Sequence, residues 1–95
     1  MVNLNIRVIL KQILNRHLEG NERVFIFGSR TGNKHRRFSD LDLGILADKP
    51  LSGLTMAKLE TDLENSDLPF IVQVVDFSNV SQNFKQKAMR NIIEI

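Results

Sequence analysis

Cysteine is absent from the 95 residues of this chain, and its absence excludes two classes of small protein. Without thiols the chain can form neither a disulfide-stapled scaffold nor a thiolate zinc site. Long apolar runs are also missing, because nowhere do about 18 apolar residues follow one another as a membrane-spanning helix requires. The first ten residues, MVNLNIRVIL, contain Arg7 and no small-residue cleavage site, so they do not predict a signal peptide. We therefore expect a cytoplasmic protein with no membrane partner.

The chain has little excess of either charge, since the formal net charge is only +2 at pH 7. So small a net charge does not favour direct binding of nucleic acid. The positive charge is nevertheless concentrated in one short segment, which contains Arg30, Lys34, His35, Arg36 and Arg37. Such a segment either binds phosphates or an acidic partner, or forms an ordinary solvated loop, and the residues alone leave both interpretations open.

The length of the chain predicts a single domain over residues 1–95, because typical domains contain about 100–150 residues. A domain of this size buries only about 60–65% of the surface of its unfolded chain. Its core is therefore modest, and a partner chain would stabilise it. The sequence contains no internal repeat, linker or low-complexity segment that would divide it.

Apolar periodicity predicts six elements in the order α-β-β-α-β-α. The helices are expected from about residue 5 to Gly20, from Ser52 to before Pro69, and from Val80 to Ile95, and the strands at residues 24–28, from Asp40 onwards, and at residues 70–77. The pattern predicts that the first strand is buried on both faces and that the second is half-buried with one polar face. Because each strand and each helix carries one apolar side, we expect an α/β (α+β) fold with helices on one face of a three-stranded sheet.

The first two strands carry the residues that point to chemistry. Gly28 and Ser29 end the first strand, and Asp40 and Asp42 lie on the second. The period of two sends both aspartates to the same face, about 7 Å apart, where they repel one another unless a cation lies between them. Mg²⁺ prefers carboxylate oxygens and keeps positions for phosphate oxygens. Since Gly28 allows close approach of a ligand and Ser29 offers a hydroxyl and N–H groups, the four residues predict a nucleoside triphosphate bound through metal.

Each half of this pattern has a simpler interpretation when it occurs alone. A Gly-Ser pair is usually a turn, and Asp-x-Asp is usually a solvated strand face. In the order strand, Gly-Ser, loop, Asp-x-Asp, strand, the two halves favour phosphoryl or nucleotidyl transfer, which chiefly needs positioning and charge neutralisation by metal ions. A P-loop is excluded, because no Gly-Lys-Ser/Thr follows the glycine.

The segment GSR…SDLDL resembles the signature of the minimal nucleotidyltransferases (MNT) of the DNA polymerase β-like superfamily, and the order of elements is similar over almost the whole chain. The resemblance implies a nucleotidyltransferase fold with a mixed sheet, and transfer of a nucleoside monophosphate, usually AMP from ATP, with two Mg²⁺ ions. Carried over by position, it implies that Gly28, Ser29 and Arg30 bind the nucleotide. It also implies that Asp40 and Asp42 are the catalytic metal ligands.

The resemblance also implies a partner. Single-domain members of this family typically pair with a small helical protein of the HEPN class, often a ribonuclease toxin. We therefore expect a HEPN-like partner and an antitoxin-like role in which the chain transfers nucleotide to that partner, with a homodimer as the alternative assembly. The alternative function is a catalytically weak or inactive module that binds nucleotide and neutralises its partner by contact alone.

One position departs from the family pattern. Where the family usually has a third carboxylate on the third strand, this sequence has Gln73. The nearest acid, Asp76, has the opposite parity, so an unbulged strand directs it to the other face of the sheet. Asp76 is therefore a weak candidate for a third metal ligand, and a cap of the turn that follows the strand is the commoner role for such a residue.

Overall fold

The computed structural model describes residues 4–28 and 41–95. Within these ranges the elements are α1 (Leu4–His17), β1 (Arg23–Phe27), β2 (Leu41–Leu46), α2 (Gly53–Glu64), β3 (Val72–Asp76), α3 (Gln82–Ala88) and β4 (Ile93–Glu94). The predicted mixed α/β class is confirmed, and the first six elements occur in the predicted order. In this part of the chain no helix combines the length and the hydropathy needed to cross a bilayer.

The strands form one mixed sheet in the order β3-β2-β1-β4. β1 pairs antiparallel with β2, and β2 pairs parallel with β3. One row of the sheet aligns Phe27 with Asp42 and Asp42 with Gln73. The end of β1 and the beginnings of β2 and β3 therefore meet at the same edge of the sheet, and this edge carries the residues that the sequence singled out.

The helices α1 and α2 cover one face of the sheet. Their apolar stripes and the inward residues of the strands form one buried cluster, which contains Leu10, Ile13, Leu14, Ile26, Leu41, Leu43, Ile45, Leu59 and Leu63. Between the two helices the imidazole Nε2 of His17 lies 2.6 Å from Oδ2 of Asp62. The hydrogen bond with His17 lowers the pKa of the Asp62 carboxyl, and the charges of His17 and Arg16 act in the same direction.

The other face is covered by α3 and is also apolar. Phe25, Phe27 and Phe77 form a second buried cluster, and Ala88 of α3 packs against it. The predicted one-sided arrangement therefore holds for α1 and α2 but not for α3. The physical reason lies in the alternation of β1, which buries aromatic side chains on the face opposite Ile26 and leaves an apolar surface that needs a cover. Gly44 is buried on this face, so the predicted polar face of β2 is solvated only in part.

The C-terminal segment is the second departure from the sequence-based expectation. The last helix ends at Ala88 rather than at Ile95, and the N–H of Met89 donates to the carbonyl of Lys85. β4 then adds a fourth strand, which the periodicity did not predict, by pairing antiparallel with β1. Helical spacing misleads here because the outer edge of β1 presents unpaired N–H and C=O groups, and the short β-branched run IIEI satisfies them.

Candidate functional site

Gly28 and the carboxylate of Asp42 define the centre of the candidate site. Gly28 follows the last residue of β1 with a φ of +80°, a conformation that side chains other than glycine rarely adopt. A Cβ atom placed on Gly28 would lie only 2.5 Å from Oδ2 of Asp42. The carboxylate of Asp42 therefore stands against bare backbone, and both the dihedral angle and the close approach require glycine at this position.

Gln73 lies beside Asp42 in the sheet. The two residues are partners in the parallel pairing of β2 with β3, where neighbouring strands are about 4.8 Å apart. Both side chains point away from the cluster beneath α1 and α2, because their neighbours Leu41, Leu43 and Val72 pack into that cluster. The structure thus brings Gly28, Asp42 and Gln73 together at one edge of the sheet.

Asp76 lies on the other side of the sheet. Its Oδ2 accepts a hydrogen bond of 2.8 Å from the N–H of Leu51, and its Oδ1 accepts from the N–H and the hydroxyl of Ser78. Burial raises the pKa of the Asp76 carboxyl, but the hydrogen bonds from Ser78 and Leu51 outweigh this effect and lower it below its usual value. The structure does not bring this carboxylate to Asp42, and the expected capping of the turn after β3 is confirmed.

The remaining predicted site residues, Ser29, Arg30 and Asp40, lie outside the described residues, as does the basic segment up to Arg37. Their predicted roles stay predictions. Among residues 4–28 and 41–95 no group of three or more histidine, cysteine, aspartate or glutamate side chains is arranged to hold a metal ion. Of the predicted pair of metal ligands, Asp42 lies within the described residues and Asp40 lies outside them.

An aromatic cluster lies on the same face of the sheet as the side chain of Asp42. The ring centroids of Phe25 and Phe77 are 4.9 Å apart and those of Phe27 and Phe77 are 5.0 Å apart, both in edge-to-face geometry. Gly44 lies over this cluster, and a Cβ atom there would approach Phe25 Cε2 to 2.5 Å and Phe77 Cε1 to 2.7 Å. The strand that carries Asp42 is therefore packed directly against aromatic rings two residues further along, at Gly44.

Sequence reasoning missed a cavity beside Gly28. It has a volume of about 390 Å³ and is lined by Phe27, Gly28, Phe84, Lys87, Ala88 and Asn91. The available signal was the spacing of Phe84, Lys87 and Ala88, which places them on one face of α3, whereas Asn91 lies beyond the end of that helix. A cavity of about 420 Å³ lies at the opposite end of β2, beside Ala47 and Glu22. That second cavity is remote from Asp42 and shares no residue with the candidate site.

Comparison with known proteins agrees with this geometry. The family described as "Polymerase beta, Nucleotidyltransferase" matches residues 9–95. The chain is 37% identical over 78 residues to the "Probable protein adenylyltransferase MntA" of Haemophilus influenzae, a match that covers 82% of this chain and 68% of the relative.

Solved structures share the fold. One, a toxin–antitoxin with AMP-PNP, is 24% identical with a TM-score of 0.73, and the match covers 92% of this chain and 69% of that chain. Another contains the tri-AMPylated HEPN toxin of Shewanella oneidensis in complex with MNT antitoxin. It is 19% identical with a TM-score of 0.68, and the match covers 93% of this chain and 69% of that chain. With a family match over almost its whole length, the chain belongs to the polymerase β nucleotidyltransferase family, as the Gly-Ser and Asp-x-Asp signature predicted.

Proposed function

We propose that this chain is a Mg²⁺-dependent nucleotidyltransferase that binds ATP and transfers AMP to a HEPN-like partner, as the antitoxin of a two-protein pair. The observation that carries the proposal is the carboxylate of Asp42 standing against the bare backbone of Gly28 at the edge of the sheet. The adenylyltransferase name of the Haemophilus influenzae relative supports the choice of AMP. The structural neighbour with a tri-AMPylated HEPN toxin supports the choice of partner.

The donor set around Asp42 fits magnesium. Mg²⁺ is commonly held by one or two carboxylates together with substrate phosphates. Asp42 is half-buried, and its carboxylate lies where a side chain at position 28 would collide with it. Asp40 and Asp42 would hold the metal, and we expect two Mg²⁺ ions. When bound, the metal neutralises the charge of the triphosphate and of the departing pyrophosphate.

The chain's own residues then position the nucleotide. Gly28 lets the phosphates approach the backbone, and Ser29 with Arg30 supplies donors for the phosphate oxygens. In the reaction, a hydroxyl oxygen of the partner bonds to the α-phosphorus while the bond between the α- and β-phosphates breaks. Pyrophosphate leaves, and the hydroxyl proton passes to a base.

Gln73 determines how well the chain performs this step alone. A glutamine accepts and donates hydrogen bonds, but it neither takes up a proton nor offsets the charge of a cation. A general base typically contributes about 10²–10⁴-fold to the rate. We therefore expect the chain to bind Mg²⁺–ATP and to transfer AMP slowly until its partner completes the site.

The glutamine at position 73 also favours a second candidate function. A chain with glutamine at the third position can bind nucleotide and neutralise its HEPN-like partner by contact alone. The two functions differ in one respect, because only the first leaves AMP covalently attached to the partner.

The test is to incubate the chain with Mg²⁺, the protein encoded beside it, and ATP labelled at either the α- or the γ-phosphate. We expect label on the partner from the α-labelled nucleotide only, and none with Asp42→Asn or in EDTA. Transfer from γ-labelled ATP would show phosphoryl transfer instead. An unlabelled partner that is neutralised equally by the wild type and by Asp42→Asn would establish the contact-only function.

A further inference from the structure

The cavity beside Gly28 adjoins the proposed phosphate site. It opens at the end of β1, on the sheet face that carries Asp42, and its volume is about 390 Å³. This volume falls within the range of about 300–1,000 Å³ that is typical of small-molecule sites. Gly28 lines the cavity, and a Cβ atom placed on it would meet the Asp42 carboxylate, so the cavity adjoins the candidate site. A nucleotide whose phosphates bind at that site has the cavity within reach of its nucleoside.

One face of α3 and the residues after it form the outer wall of this cavity. The hydroxyl oxygen of Ser81 accepts a hydrogen bond of 3.1 Å from the N–H of Phe84 and so fixes the first turn of the helix. Phe84 and the residues three, four and seven positions later all line the cavity. Phe84, Lys87 and Ala88 lie on one face of α3, and Asn91 follows the end of the helix, so the cap of α3 also sets the orientation of most of this wall.

Phe84 differs from the other phenylalanines of this face, because 42% of its surface is exposed while Phe25, Phe27 and Phe77 are buried. Its ring is held in place by Phe27, with centroids 6.1 Å apart, and by Phe77, with centroids 5.6 Å apart. An exposed aromatic ring that is fixed by neighbouring rings provides a surface on which a nucleobase can stack, because every base has a π-face.

We propose that this cavity binds the base of the nucleoside triphosphate, with Phe84 as the stacking surface. The inference rests on the proposed function and identifies where the nucleoside lies. Asn91 offers an amide with both a donor and an acceptor for the edge of the base. Lys87 adds a positive charge to the same wall, which complements the charge of the phosphates.

The test compares ATP with inorganic tripolyphosphate, which lacks the base and the sugar. Titration calorimetry in Mg²⁺ is performed with the wild type, with Phe84→Leu, which keeps an apolar side chain against Phe27, and with Phe84→Tyr, which keeps the ring. Leu54→Ala serves as the control, since Leu54 is an apolar residue of α2 that is 66% exposed. We expect Phe84→Leu to weaken ATP binding roughly 5- to 100-fold. Phe84→Tyr and Leu54→Ala should bind ATP like the wild type, and all four proteins should bind tripolyphosphate equally.

A fluorescence measurement supplies a second readout. The chain contains no tryptophan, so Phe84→Trp introduces a single reporter at the proposed stacking surface. Saturating Mg²⁺–ATP should change its emission, whereas tripolyphosphate should not. Circular dichroism of each variant checks that the fold is retained.

Three results overturn the inference, and they are distinguishable. Equal ATP affinity in the wild type and Phe84→Leu refutes stacking and leaves the proposed function intact. Loss of partner binding in Phe84→Leu without loss of ATP affinity would identify the cavity as a protein contact. Failure of the wild type to bind both ATP and tripolyphosphate would refute the proposed function itself.

Discussion

Replacing Gly28 with alanine separates the two reasons for glycine at this position. The φ of +80° adds a backbone cost, which for a residue with a Cβ is about 1–2 kcal/mol. The new Cβ also lies 2.5 Å from Oδ2 of Asp42, whereas ordinary contact begins near 3.4 Å, so the carboxylate or the backbone must move by about 0.9 Å. The first effect lowers stability, and the second disturbs the site.

Gly20→Ala is the matched control. Gly20 also has a positive φ, of +108°, but a Cβ there meets nothing within 4 Å. Both variants should therefore lose about 1–2 kcal/mol of unfolding free energy in urea. Only Gly28→Ala should lose affinity for Mg²⁺–ATP, because only it displaces the Asp42 carboxylate.

The size of that loss follows from the contact that is disturbed. An interaction with a charged group contributes roughly 1.5–3 kcal/mol, which corresponds to about a 10- to 100-fold weaker Kd. Titration calorimetry at saturating Mg²⁺ measures it directly. A folded Gly28→Ala variant that binds Mg²⁺–ATP as tightly as the wild type would show that the position of the Asp42 carboxylate does not matter for binding. A Gly20→Ala variant that loses as much affinity as Gly28→Ala would show the same.

Four further predictions concern the surroundings of the site and the partner. Gly44→Ala should lose about 1–3 kcal/mol of unfolding free energy in urea, because its Cβ would meet Phe25 and Phe77 at 2.5 and 2.7 Å; an unchanged midpoint would show that the aromatic cluster yields easily. Gln73→Asp should raise the single-turnover rate of AMP transfer, since the new carboxylate would face Asp42, whereas Asp76→Asn should leave the rate nearly unchanged; the reverse pattern would mean that Asp76 is the third ligand. Because the folded pKa of Asp76 is lowered, its stabilising effect is fully present above the ordinary value of 3.8 and is lost as the pH falls through the folded pKa; the stability difference between the wild type and Asp76→Asn should therefore disappear in acid, and a difference that persists there would contradict this assignment. Finally, sedimentation of the chain co-expressed with its neighbour-encoded protein should show a complex heavier than the monomer, or failing that a homodimer, and only monomers at micromolar concentration would argue against a partner.

Features that depend on local chemistry were predictable from the sequence. Serine is a common residue at the start of a helix, and Ser52 and Ser81 each accept a hydrogen bond of 3.1 Å from the N–H three residues later. The period of two correctly separated Asp76 from Gln73, because strand parity depends only on an unbroken pleat. The buried character of β1 was equally clear, since a run of consecutive apolar residues leaves neither face for water.

Features that depend on distant partners were not predictable. Ile92 and Ile95 fit helical spacing after Ala88, yet the chain turns into β4 because the edge of β1 is within reach. Gly44 shares the parity of Asp42 and so looked solvated, but the rings of Phe25 and Phe77 close over it. Such pairings are decided by tertiary contacts, which no window of local sequence contains.

Asp42 and Gly28 are proposed to form a metal-dependent nucleotide site. Calorimetry of ATP binding to the wild type and to Asp42→Asn, each in Mg²⁺ and in EDTA, tests it most directly. The substitution removes a negative charge while keeping the shape of the side chain, so it takes away a metal ligand and little else. We predict that Asp42→Asn weakens ATP binding much more in Mg²⁺ than in EDTA. Equal affinities of the wild type and Asp42→Asn in Mg²⁺ would show that Asp42 does not hold the metal.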